Sequence, residues 1–357
     1  MLICTILEAI IVSSHVSVYN ELKKDSIIDN EPVTSVNMGQ EKPESDVALG
    51  LRRLKNENVF FILLSLFQLV LGIDALVRQS VIQLMCHTFF QVLAVVFAAI
   101  QVGGTIRKNH DVNALNNPED PEVVWHFGLA LRNEIGLVSV MAIFAFIFMY
   151  LCWKLYKQFG WSVYKRIGAD INQQKRFRLA QLFLLNLKVD AFFQLVLCVF
   201  YAVVMSQEKY YLFAFSERKF IGYIIHIILT VLLIPGLLFA RHGVITENKK
   251  VMITFSVTQV IMCLDFIFIL VDSAGNWVFW NLAVCLAIVL CISTIVLSAL
   301  VPRNFGKGLK PFMQRLFESE DKKKENQNDN SLLKPGNEWL IDDEEDYPLS
   351  YTKSNTA

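Results

Sequence analysis

Apolar residues along this chain gather into long runs, separated by short polar stretches. The clearest runs cover 59–77, 81–102, 135–153, 182–205, 221–240, 251–271 and 279–301. A helix needs roughly 20 predominantly apolar residues to cross about 30 Å of hydrocarbon. It also satisfies its own backbone hydrogen bonds, which lipid cannot do. Each run therefore predicts a transmembrane helix. An eighth, weaker run over 2–18 is interrupted by Glu8 and His15. It lacks the basic start and the small-residue cleavage site of a signal peptide, so it is read as a span that stays. The expected fold is an all-α, polytopic transmembrane helical bundle of eight spans, or seven if the first run is cleaved or does not span. Its organisation is a first span at 1–18, a polar loop at 19–58, a seven-span bundle at 59–301 and a largely disordered tail at 302–357.

Polar residues inside the runs are the candidate chemistry, because intramembrane charge is expensive. Helical spacing groups them. Asn186, Asp190 and Gln194 form one stripe. Gln83, His87 and Gln91 form another, with Gln101 returning to its face. Thr254, Thr258 and Asp265 share a face, and His226 lies one turn from Thr230. Such stripes are expected to point into the bundle. Lys188 lies about 200° from Asp190 on the helical wheel. It therefore needs a different neighbour, Asp74 or Asp265, unless it snorkels. The candidate positions are thus Asp74, His87, Lys188, Asp190, His226 and Asp265. A polar pathway and ordinary interhelical bonding both remain open for them.

Tight connections are expected at Arg78–Ser80 and at 272–276, with Trp277 and Trp280 beside the latter at a membrane interface. Pro235 is expected to bend the sixth of the eight spans near its end. With eight spans both termini share one side. That side collects Lys154, Lys157, Lys165, Arg166, Lys175, Arg176 and Arg178, and the bias places the termini in the cytosol. The basic residues Arg52, Arg53 and Lys55 dissent. The 154–181 segment mixes its basic residues with Phe159, Trp161, Tyr164 and Phe177, which suits an anionic leaflet or a plain positive-inside collar. In the tail, Asp342, Asp343, Glu344, Glu345 and Asp346 sit beside Trp339 and Tyr347. This acidic patch could dock on a basic cytosolic adaptor or simply solvate the end.

Composition narrows the function classes. The chain of 357 residues is 54% hydrophobic with zero formal net charge, so no global basic field suggests nucleic acid. The seven cysteines all fall in or beside apolar runs without metal-ligand spacing, so neither disulfides nor a metal centre nor another cofactor is expected. No phosphate-binding loop, zinc-protease helix or nucleophile elbow occurs, and no enzyme activity is expected.

Several motifs carry a resemblance. FGWSVYKRIGAD at 159–170, LNLKVDAFFQ at 185–194 and NFGKGLK at 304–310 resemble the uncharacterised fungal Golgi-apparatus membrane proteins. Residues 72–102 and LEAIIV at 7–12 fit as well. The resemblance implies a multi-pass Golgi membrane protein with no assigned activity. It marks Lys188, Asp190, Phe192 and Phe193 as motif positions, with Gly160, Gly168, Asp170, Asn304, Gly306 and Gly308. Two functions follow as expectations. One is membrane organisation or trafficking through cytosolic segments. The other is a small-solute or proton-linked transporter that uses the stripes. Stripes lining one connected cavity favour the transporter; stripes fully paired and dry favour the first.

Overall fold

The structure is a computed structural model. It describes residues 2–24, 43–78, 80–115, 121–167, 171–208, 217–272 and 277–306. The acidic patch Asp342–Asp346 and the motif positions Gly168, Asp170 and Gly308 lie outside the described residues. So do the side chains of 157–167 and residues 25–42 of the loop expected at 19–58.

Among the described residues the chain is all helix, in eight α-helices. They are α1 Leu2–Lys24, α2 Pro43–Val77, α3 Val81–Leu115, α4 Pro121–Ile167, α5 Ile171–Glu208, α6 Glu217–Ile245, α7 Lys249–Asp272 and α8 Val278–Leu300. A short 3₁₀ turn, Val301–Asn304, follows α8 with Pro302 in its first turn. The all-α bundle read from the apolar runs is what the chain forms. Seven helices, α2 to α8, are long and apolar enough to cross a membrane. In α1 the apolar part is Ile3–Val18, shorter than the others. That helix still packs against α2 and α4, with Cys4 and Ile11 buried.

The helices overshoot the apolar runs that predict them. Propagating a helix adds one hydrogen bond per residue fixed, so a formed span continues into polar sequence. Thus α2 begins at Pro43, well before Phe60, and α3 runs on to Leu115. The α6 helix continues through Pro235.

Sequential packing closes two rings. In the first, α1 packs on α2, α2 on α3, α3 on α4, and α4 back on α1. In the second, α5 to α8 repeat this pattern, α8 closing on α5. The rings meet where α5 touches α2 and α3, and where α8 touches α3. This doubled topology is invisible in the sequence, which shows no internal repeat. Burial follows from it: 56% of the apolar stretch of α5 is buried, against 17% for α4 and for α6. The outward faces are apolar. On α4 they run from Ile135 to Tyr156, a rise of about 31 Å. On α6 they run from Phe220 to Phe239, about 28 Å. Both lengths match a hydrocarbon layer of roughly 30 Å.

Candidate functional site

The LNLKVDAFFQ stretch of α5 forms the junction between the rings. Val189, Asp190, Phe193 and Gln194 are fully buried there, while Lys188 stays partly exposed. Toward the first ring, Phe192 stacks on Phe67 with centroids 4.2 Å apart. Phe193 lies 5.5 Å from Phe90 and 6.2 Å from Phe60. Lys188 Nζ donates to Asp74 Oδ2 at 2.8 Å. Of the two partners left open for Lys188, the geometry selects Asp74. The same carboxylate accepts from Arg78 Nε at 2.5 Å and from Gln83 Nε2 at 3.0 Å.

Toward the second ring, the i, i+4, i+8 stripe meets α8 and α7. The Asn186 amide donates to Thr294 Oγ1 at 2.7 Å, and the Thr294 hydroxyl reaches Asp190 Oδ2 at 2.6 Å. Ser293 donates to Asn186 Oδ1 at 2.9 Å. Gln194 donates to Gln259 Oε1 at 2.9 Å. A buried polar group without a partner costs roughly 1–3 kcal/mol, so these bonds fix how α5 seats against α8 and α7.

The α3 stripe also points inward, and its members have separate neighbours. Gln83 bonds Asp74, Gln91 donates to Met141 O on α4, and Gln101 donates to Asn58 Oδ1. His87 packs edge-on to Phe148 at 5.0 Å, against the open side of Gly72. The α7 stripe departs from expectation. Thr254 and Thr258 are exposed, each hydroxyl donating to a carbonyl of its own helix, Lys250 O and Phe255 O. A threonine that satisfies itself this way tolerates lipid. Asp265 of that face does point inward, and the other inward polar residues of α7 are Gln259 and Ser256, the latter 2.7 Å from Ser298.

A second polar network joins α1, α2, α3 and α4. The Asn58 amide donates to His15 Nδ1 at 2.8 Å, so His15 carries its hydrogen on Nε2, 3.4 Å from Glu134 Oε1. The Thr105 hydroxyl donates to that oxygen at 2.8 Å. Nearby, Trp277 Nε1 donates to Glu57 Oε1 at 2.6 Å beneath the Arg53 guanidinium. Trp277 and Trp280 are stacked and buried rather than facing headgroups as an interfacial pair would. Glu57, Asn58 and Glu134 fell at the edges of the apolar runs, so hydropathy alone passed over them. Their helical phase with Phe61 and Leu137 was the signal available.

His226 joins three helices. Its Nδ1 faces Asp265 Oδ2 at 2.7 Å, and its Nε2 faces Cys198 O at 3.0 Å. Tyr201 packs edge-on to the ring at 4.9 Å. Of the six candidate positions, the structure thus joins Asp74 with Lys188 and His226 with Asp265. His87 and Asp190 stand apart.

Of the motif positions, Lys188, Phe192 and Phe193 reach from α5 to the first ring. The chain is similar to a Golgi membrane protein. Over 301 residues it is 23% identical to the UPF0658 Golgi apparatus membrane protein of Schizosaccharomyces pombe, across 74% of this chain and 79% of the relative. The resemblance read from the motifs holds at that distance. No family model matches the chain, and no solved structure matches it. Together with seven membrane-length helices, the likeness supports a multi-pass protein of the Golgi membrane.

Proposed function

We propose that this protein serves membrane organisation or traffic in the Golgi, with both termini cytosolic and partners recruited by its cytosolic segments. The observation that carries this reading is the pairing of the stripes. Asn186, Asp190, Gln194, Gln83, Gln91 and Gln101 each bond a specific neighbouring helix through at least one polar atom, while Asp190 Oδ1 and the amide oxygens of Gln194, Gln83, Gln91 and Gln101 are buried with no hydrogen-bond partner among the described residues. Such bonds average about 0.6 kcal/mol in membranes and act as fasteners. The cavity between α5 and α6 is lined by Val199, Ala202, Val203, Ile227 and Val231 with Tyr223 and Thr230, and by no stripe residue except Thr230.

The test has two arms. Neutralising Asp342, Asp343, Glu344, Glu345 and Asp346 together is expected to change Golgi residence or the recovered partners without lowering protein level. Purified protein in liposomes is expected to give no flux of protons or small solutes above empty vesicles. Unchanged residence and partners, combined with flux that Asp190→Asn abolishes, would replace this reading with a transporter.

A further inference from the structure

Three helices of the second ring bring one ligand atom each to a common point: Cys198 Sγ from α5, His226 Nδ1 or Nε2 from α6, and a carboxylate oxygen of Asp265 from α7. These atoms lie within 4.8 Å of one another. Cys198 and His226 are fully buried, and the Asp265 side chain is 9% exposed. In sequence the three are far apart, on separate spans, so no ligand spacing announces them.

Hydrogen-bond accounting shows what the point lacks. The partner of His226 Nε2 is a backbone carbonyl, which only accepts. Nε2 must therefore carry the hydrogen, which turns the Nδ1 lone pair toward Asp265. A lone pair and a carboxylate oxygen 2.7 Å apart repel unless a cation sits between them. Only two kinds of cation fit, a proton or a metal ion. A histidine that donates one nitrogen to a backbone carbonyl and offers the other is the arrangement that fixes metal-ligating imidazoles.

We propose that Cys198, His226 and Asp265 form a binding site for a borderline-soft divalent metal ion of the zinc class. The donor set decides the class. Thiolate and imidazole favour zinc-type ions, whereas magnesium and calcium take oxygen donors. With bond lengths of about 2.0–2.3 Å to S, N and O, the ligand atoms of a tetrahedral ion stand roughly 3.3–3.6 Å apart, so seating it moves Nδ1 and Oδ2 apart from 2.7 Å and needs the sulfur closer than the 4.8 Å that bounds the set. Charge is balanced throughout. Without the ion, the site holds the thiol proton and the proton shared by His226 and Asp265, and is neutral. A divalent ion displaces both protons, and with one thiolate and one carboxylate the site is neutral again. Neutrality matters here because an uncompensated charge inside a membrane is expensive. Three protein ligands leave a fourth position open.

The experiment uses the full chain, purified in detergent, stripped with a chelator and titrated with Co²⁺ or Zn²⁺ alone. One equivalent of Co²⁺ is expected per chain, with a thiolate-to-cobalt charge-transfer band, and Zn²⁺ is expected to abolish the band by competition. Cys198→Ser changes one atom and keeps the helix packing. It is expected to remove the band and weaken binding at least tenfold. Asp265→Asn is expected to weaken binding at least tenfold while the band persists at saturating metal. Size-exclusion profile and melting temperature of each variant report its folding independently. No stoichiometric Co²⁺ in the folded wild-type protein, or a charge-transfer band undiminished in folded Cys198→Ser, overturns the site and leaves a proton as the cation between His226 and Asp265.

Discussion

Thr294 receives Asn186 and reaches Asp190, and so holds two α5 side chains to α8 with one hydroxyl. Thr294→Val keeps the shape and removes the oxygen, so both neighbours lose their bond. The expected destabilisation is about 1–3 kcal/mol. It should appear as a clear drop in melting temperature in detergent, larger than that of Phe192→Leu. Lys188 presents the opposite case. Its side chain is 43% exposed, and Asp74 keeps Arg78 and Gln83 when Lys188 is lost. Lys188→Met is therefore expected to cost at most about 1 kcal/mol. In a double-variant cycle, Lys188 should couple to Asp74 and not to Asp265, read as the change in melting temperature. The 200° separation of Lys188 and Asp190 was legible from helical geometry alone. Which acid Lys188 meets depends on which helices are neighbours, and periodicity carries no such information.

At the scale of elements, the turn between α6 and α7 combines three local devices. Glu247 takes a left-handed φ of 52°, with Asn248 N bonded back to Gly243 O. Asn248 Oδ1 then accepts from Lys250 N at 3.0 Å and caps α7. Asn248→Ala is expected to cost about 1 kcal/mol, measurable by thermal denaturation. A Cβ on Gly243 would sit 3.0 Å from Val251 Cγ1 and 3.2 Å from Met252 Sδ. Gly243→Leu should therefore lower abundance by forcing the two helices apart at their tightest approach, while the exposed neighbour His242→Gln should not. The helix cores were legible because each of the seven clear apolar runs is close to the crossing length. Their ends were not, because hydropathy falls where helix–helix packing still continues. Glu57, Glu134 and Trp277, just before α8, lie in that margin. The Thr254–Thr258 face was misjudged for a related reason: hydroxyls bonded to their own helix leave no polarity to hide.

Across the whole molecule, the two four-helix rings meet chiefly at α5, which belongs to the second ring and touches α2 and α3 of the first. Changes at the Phe192–Phe67 stack should consequently separate the rings without melting either. Phe192→Ala is expected to increase hydrogen exchange in α2 and α5 while α6 and α7 keep their protection. Topology gives a further expectation. With both termini cytosolic, protease added outside sealed Golgi vesicles removes the tail beyond Arg315 and leaves the bundle; full protection of the tail would reverse the orientation.

The length of α4 has a mechanical consequence. It is one helix of 47 residues, from Pro121 to Ile167, and its apolar side chains are exposed as far as Tyr156, the last of them described. Lys154 reaches over the ring of Tyr150 at 5.0 Å, in the posture of a side chain at the headgroup boundary. Beyond Tyr156 the helix continues for about 16 Å at 1.5 Å per residue. A rod anchored in the bilayer and projecting that far acts as a lever arm. A tilt of about 20° in α4, ordinary for a transmembrane helix, swings its far end sideways by roughly 5 Å for that rise. Small changes in bilayer thickness would then be read outside the membrane as displacement.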